Sequence, residues 1–185
     1  MFHPELRIQV PQTQWEFAGP ITRIPEFCAP ALGNKDNLVT IDATAGEKAN
    51  GVLYKLGGAG GGLTCFVTDG IVRYEYNLFI VQRTKIRSTR LLPPGHLVIE
   101  VHTAYVEARP GGPLQVTIRV NGEEFAQGQV PVSAPLLFSA NECLDIGTCL
   151  GSPVSMDYYH LAPFPFDGTI ERTHVQYLAT DQVAS

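Results

Sequence analysis

Apolar residues in this chain come in short alternating runs, cut by glycine and proline about every 8–12 residues, and this punctuation leaves few folds open. Glycine occurs 18 times and proline 14 times in 185 residues. Helix signals are scarce and turn signals frequent. The expected strands start at Leu38–Asp42 and continue through Gly51–Leu56, Leu63–Thr68, Ile71–Phe79 and Ile80–Leu91. Leu97–Val106, Leu114–Val120, Glu123–Gln129, Leu136–Ser139 and Thr169–Leu178 complete the set. Asn121-Gly122 tolerates the positive φ that a two-residue hairpin turn demands, so Glu123–Gln129 should fold back on Leu114–Val120. Asp69-Gly70 marks a second tight turn.

The faces follow from a period of two. Leu114, Val116, Ile118 and Val120 point one way, and Gln115, Thr117 and Arg119 the other. Leu97, Ile99, Val101 and Tyr105 oppose Val98, Glu100, His102 and Ala104, while Val72, Tyr74, Tyr76 and Leu78 oppose Arg73, Glu75 and Asn77. One face packs on a second sheet and the other is solvated or lines a groove. The expectation is an all-β fold: an antiparallel β-sandwich of the lectin-like (concanavalin-like) jelly-roll kind. Residues 1–30, with Pro4, Pro11, Pro20, Pro25 and Pro30, read as an extended arm carrying an edge strand at Leu6–Val10. Residues 31–180 form the single domain and 181–185 a tail.

Composition narrows the functional classes. Apolar residues make up 44% and charged residues 17%, which describes a globular chain rather than a disordered one. The net charge is −5. The densest basic run, Arg83–Arg90, nearly alternates and suits the solvent face of one strand, so nucleic acid is not an expected partner. No segment approaches the about 20 apolar residues that span a bilayer, so neither is a membrane. The first ten residues lack a charged region followed by an apolar stretch. Localisation therefore stays unknown, and cytoplasmic if the chain is full length. Cys28, Cys65, Cys143 and Cys149 contain no C-x-x-C pair and are expected as free, buried or half-buried thiols.

A longer pattern runs through the chain. Asp145-x-Gly147, Gly151-Ser-Pro-Val-Ser, Asp157-Tyr158 and Pro163-Phe-Pro-Phe precede a strand start at Gly168–Ile170. Upstream, in order, stand Arg23-Ile-Pro-Glu, Gly51-Val-Leu, Gly61-Gly62, Val67-x-Asp69-Gly70, Tyr74-x-Tyr76-Asn77, Val120-Asn121-Gly122 and Phe138-Ser-Ala. From about Pro20 to Leu178 this pattern resembles the C-terminal β-domain that follows the catalytic core of bacterial arylsulfatases. The resemblance implies a sandwich that packs against a sulfatase-type catalytic domain. It does not imply sulfatase activity. Cys28-Ala-Pro30-Ala-Leu32 has Leu32 where the sulfatase C/S-x-P-x-R motif needs arginine, and the α/β core is missing.

Other constellations are weighed on their chemistry. Gly57–Gly62 precedes a strand, not a helix, so it reads as a hairpin loop rather than a phosphate cradle. The turn at Asp145 carries Cys149 where the family pattern has a second acid, a poor calcium ligand. No metal and no cofactor are expected. Asp157 and His160, beside Tyr158 and Tyr159, are candidates to approach a ligand. Glu100 and His102 share one strand face and form the candidate acid–base pair. Arg73, Glu75 and Asn77 would join them if the two polar faces coincide. His96 reads as a strand-entry residue and His174 as exposed. The leading expectation is a noncatalytic accessory or interaction domain, with a catalytic domain or a second copy as partner. The alternative is a free-standing small-molecule or glycan binder, with chemistry at Glu100 and His102 in its enzymatic form.

Overall fold

Residues 12–179 are described by a computed structural model, in which the alternating runs become two six-stranded antiparallel sheets packed face to face. The strands are β1 (Gln14–Ala18), β2 (Ile21–Pro25), β3 (Asn37–Ala45), β4 (Gly51–Gly58), β5 (Gly61–Thr68) and β6 (Ile71–Leu78). They continue as β7 (Gln82–Leu91), β8 (Gly95–Tyr105), β9 (Leu114–Val120), β10 (Glu123–Val130), β11 (Cys143–Ile146) and β12 (Thr169–Tyr177). The first sheet runs β1-β12-β3-β8-β9-β10 and the second β2-β11-β4-β5-β6-β7. The all-β sandwich expected from the periodicity is the fold observed.

Alternation explains the core. Leu97, Ile99 and Val101 of β8 and Leu114, Val116, Ile118 and Val120 of β9 are buried, and they meet Cys65, Val67, Val72, Tyr74 and Tyr76 of the opposite sheet. Removing each large apolar side chain from water stabilises the fold by about 1.5–3 kcal/mol. Asn121 and Gly122 both take positive φ, 50° and 82°, and join β9 to β10 as the turn rule requires. Where β7 and β10 close one side of the sandwich, a Cβ on Gly128 would lie 2.7 Å from Ile86 Cγ1. Only glycine lets these two edge strands pack so closely.

Two expectations change. The N-terminal segment read as an arm supplies an edge strand to each sheet, β1 against β12 and β2 against β11. Leu6–Val10 lies outside the described residues. Leu136–Ser139 is not a strand, because the amides of Phe138 and Ser139 donate to the two carboxylate oxygens of Glu26 (2.8 and 2.9 Å) rather than to a neighbouring strand. Cys143–Ile146 takes the strand position instead, between β2 and β4.

Residues 147–168 form a strap between β11 and β12 that lies over the outer face of the second sheet. Its own small core joins Cys149 and Tyr158 to Val52 and Phe66, with Phe164 packed alongside. The Tyr158 hydroxyl hydrogen-bonds Thr64 Oγ1 at 3.1 Å.

Candidate functional site

The structure splits the residues that the sequence grouped. Glu100 and His102 lie on β8, on the outer face of the first sheet. Register places Glu100 between Thr40 and Arg119, and His102 between Leu38 and Thr117. No hydrogen bond or ion pair joins the two among the described residues. Arg73, Glu75 and Asn77 lie on β6, on the outer face of the second sheet, so the two polar faces do not coincide.

On that second face the strap buries Glu75. Glu75 is 1% exposed; it accepts from the Ser155 hydroxyl and pairs with Arg83 at 2.7 Å. Asn77 is buried, donates to Ala59 O and accepts from Ile80 N. Asp157 pairs with Lys85 at 2.6 Å and lies 3.9 Å from Arg73. His160 is exposed on the outside of the strap, in the 3₁₀ turn Met156–Leu161. Arg73, Glu75 and Asp157 are thus brought together, but as anchors of the strap.

The turn at Asp145 shows the same economy. Asp145 accepts backbone N–H bonds from Arg23 and Leu150. The fully buried Lys55 ammonium lies 3.3 Å from Asp145 Oδ2 and 3.6 Å from Glu142 Oε2. The positive charge at this turn is therefore a side chain of the protein. The cysteines are all free, with Cys65 and Cys149 buried and Cys143 half-buried; Cys28, unlike the others, is exposed. Burial pushes the Cys65 thiol up to about 12 and raises Cys149 as well.

A further concavity lies elsewhere. A cleft of about 590 Å³ opens at one end of the sandwich, where β8 and β12 finish and β3 begins. Tyr105 and Tyr177 continue the inward-facing series of β8 and β12 at the last residue of each strand. Beyond the core, such positions have no opposite sheet to cover them. Asn34, Lys35 and Asp36 from the loop before β3, and Arg109 from the loop after β8, supply the polar side chains.

The walls of the cleft are fixed from below. The buried Tyr76 hydroxyl donates to Gly33 O (2.7 Å) and accepts from Ala134 N (2.8 Å), tying the loop before β3 and the segment after β10 to β6. Asn37 donates to the carbonyls of Leu32 and Lys35, shaping the loop before β3. A Cβ on Gly33 would meet the Phe138 ring at 2.5 Å, so this wall needs glycine. Tyr105 N donates to Asp36 Oδ1 at 2.6 Å, and Tyr105 Oη donates to Asn34 O at 3.1 Å. Tyr177 Oη accepts from Ala31 N, its ring meets Trp15 edge-on at 4.8 Å, and Lys35 Nζ sits 4.7 Å from the ring centroid. Sequence reasoning placed Tyr105 on the apolar face and treated Arg109 only as part of a loop. The available signal was an inward-phased aromatic at a strand's last residue, followed by a loop holding a cation.

No family model matches the chain, and no curated protein matches it. Solved structures do. The CBM40 of the Ruminococcus gnavus IT-sialidase, solved with α2,3-sialyllactose, superposes with a TM-score of 0.58 at 14% identity, covering 93% of this chain and 94% of that one. This chain is a lectin-like β-sandwich. Domains LG4-5 of the mouse laminin α1 chain match with a TM-score of 0.54 at 17% identity over 92% of this chain and 43% of that one. NanB, solved with Optactamide, matches at 0.55 and 9% identity over 89% of this chain and 26% of that one.

These structures overturn the arylsulfatase resemblance, since none of them is a sulfatase C-terminal domain. The residues that carried it have local duties in this sandwich: Gly147 takes φ 82°, Asp145 caps two backbone amides, and Asn121-Gly122 makes a hairpin turn. The expected sulfatase-type partner falls with it, and a homodimer partner has no support from these structures.

Proposed function

We propose that this chain is a noncatalytic glycan-binding module that holds a saccharide in the cleft at the end of the sandwich. One observation carries the reading: two tyrosines and four polar side chains converge on a cleft of about 590 Å³ whose walls are tied to the core. Its size lies in the range of small-ligand sites, about 300–1,000 Å³. Sugars present C–H faces that pack on aromatic rings and hydroxyls that both donate and accept. Tyr105 and Tyr177 offer the first kind of contact. Asn34 offers an acceptor, and Lys35 and Arg109 donors. The Ruminococcus gnavus domain that shares this fold was solved with a sialylated trisaccharide, which supports the same class of ligand.

A glycan array probed with the tagged protein tests the reading, followed by amide chemical-shift titration with the best binder. Shifts should cluster at residues 34–36, 105–110 and 177–178. Tyr105→Ala and Tyr177→Ala should each weaken binding by about tenfold or more. Shifts centred on Glu100 and His102 would move the site to the open face of the first sheet. An array with no binder would sink the proposal.

A further inference from the structure

The charges around the cleft are not equally available to a ligand. Asp36 is committed inward, with Oδ1 accepting from the Tyr105 amide at the end of β8. Lys35 is exposed and holds its ammonium over the Tyr177 ring rather than on a carboxylate among the described residues. Arg109 contacts Glu107 through Nε only, at 3.0 Å, and both side chains are more than 60% exposed (61% and 62%). Water screens such a pair heavily. The four N–H groups on the two terminal nitrogens of Arg109 stay available, in the planar arrangement that matches a carboxylate or a sulfate.

This local bias runs against the whole chain. Acidic residues outnumber basic ones by 18 to 13. An anion approaching at random meets a mostly unfavourable surface, and a cleft fringed by Lys35 and Arg109 is an exception to it. Charge focused at a concave site acts on orientation and encounter as well as on affinity.

We propose that the cleft selects saccharides bearing an anionic group, a sugar carboxylate or a sulfate ester, through Lys35 and Arg109. The inference rests on the glycan-binding reading and adds the class of sugar. Lys35 would meet the anion as a point charge beside the ring of Tyr177, and Arg109 would grip it with two parallel N–H bonds.

The test is an amide chemical-shift titration of the purified protein with matched sugars. Glucose, glucuronate and glucose 6-sulfate form one set, and galactose, galacturonate and galactose 6-sulfate a second. Lactose against 3′-sialyllactose is the third. The expected result is a Kd about tenfold or more lower for the anionic members than for their neutral counterparts, with shifts at Tyr105 and Tyr177. Comparing carboxylate with sulfate identifies which anion the site prefers. Lys35→Gln and Arg109→Gln lie on exposed residues, so the fold should survive; each should bring anionic sugars down toward the neutral level. Raising the salt should narrow the same gap. Equal binding of neutral and anionic sugars would overturn the selectivity and leave the glycan reading intact. Anionic preference unchanged in both variants would overturn the assignment to these two residues. No binding in any set would overturn both proposals.

Discussion

The outer faces of the two sheets carry similar amounts of polar sequence and use it in opposite ways. On the first sheet the polar residues alternate outward in cross-strand rows, such as Glu16, His174, Thr40, Glu100 and Arg119. On the second sheet Lys55, Thr64 and Glu75 form an equally regular outward row, yet all three are buried under the strap. The first face is a solvated surface. The second is an interior with charges in it, where each polar group needs a partner because water cannot serve as one. Polar residues at alternate positions therefore mark the outside of a sheet, but not the outside of a protein.

This contrast can be broken by substitution. Lys55→Met should have the largest effect, a loss of about 3–5 kcal/mol in urea unfolding, because Asp145 is left buried without its counter-charge. A change below about 1 kcal/mol would mean that the strap opens readily and lets water reach Asp145. Tyr158→Phe should cost about 0.5–1.5 kcal/mol near neutral pH through the lost bond to Thr64. It should also change the alkaline limb of stability. Burial raises the Tyr158 phenol well above its ordinary value near 10, so the unfolded chain releases this proton at a pH where the folded one keeps it. Stability contributed by the protonated phenol is present below pH 10 and falls as pH rises beyond it. Unfolding curves of the Phe variant should show a shallower decline there. Glu100→Gln and His102→Gln on the open face should stay within about 0.5 kcal/mol of the parent. A larger loss at either would show that something covers the first face too.

Strands β3 to β10 were legible because local period and turn chemistry agree along them. Leu114–Val120 alternates cleanly and Asn121-Gly122 favours the two-residue hairpin turn. Leu136–Ser139 misled because its amides are claimed by Glu26, more than a hundred residues away. The grouping of Arg73 with Glu100 failed for a related reason: period assigns a residue to a face of its own strand and says nothing about which sheet that strand joins. The cleft was the least legible part. Tyr105 was correctly phased inward, but its position at the mouth depends on where β8 stops relative to β12 and β3. The walls depend on Tyr76 reaching Gly33 and Ala134, 43 and 58 residues distant in sequence. Turn and strand signals extend over a few residues, and neither bond lies within that range.

The Tyr76 hydroxyl carries one more consequence. Saccharides are hydrated ligands whose gain from each hydrogen bond is small, so a site that must also order its own loops loses much of that gain to entropy. Here the loop before β3 and the segment after β10 are fastened to one buried phenol before any ligand arrives. This side of the cleft resembles a rigid mould more than a hand that closes, and a weak ligand would lose little of its binding energy to ordering these loops.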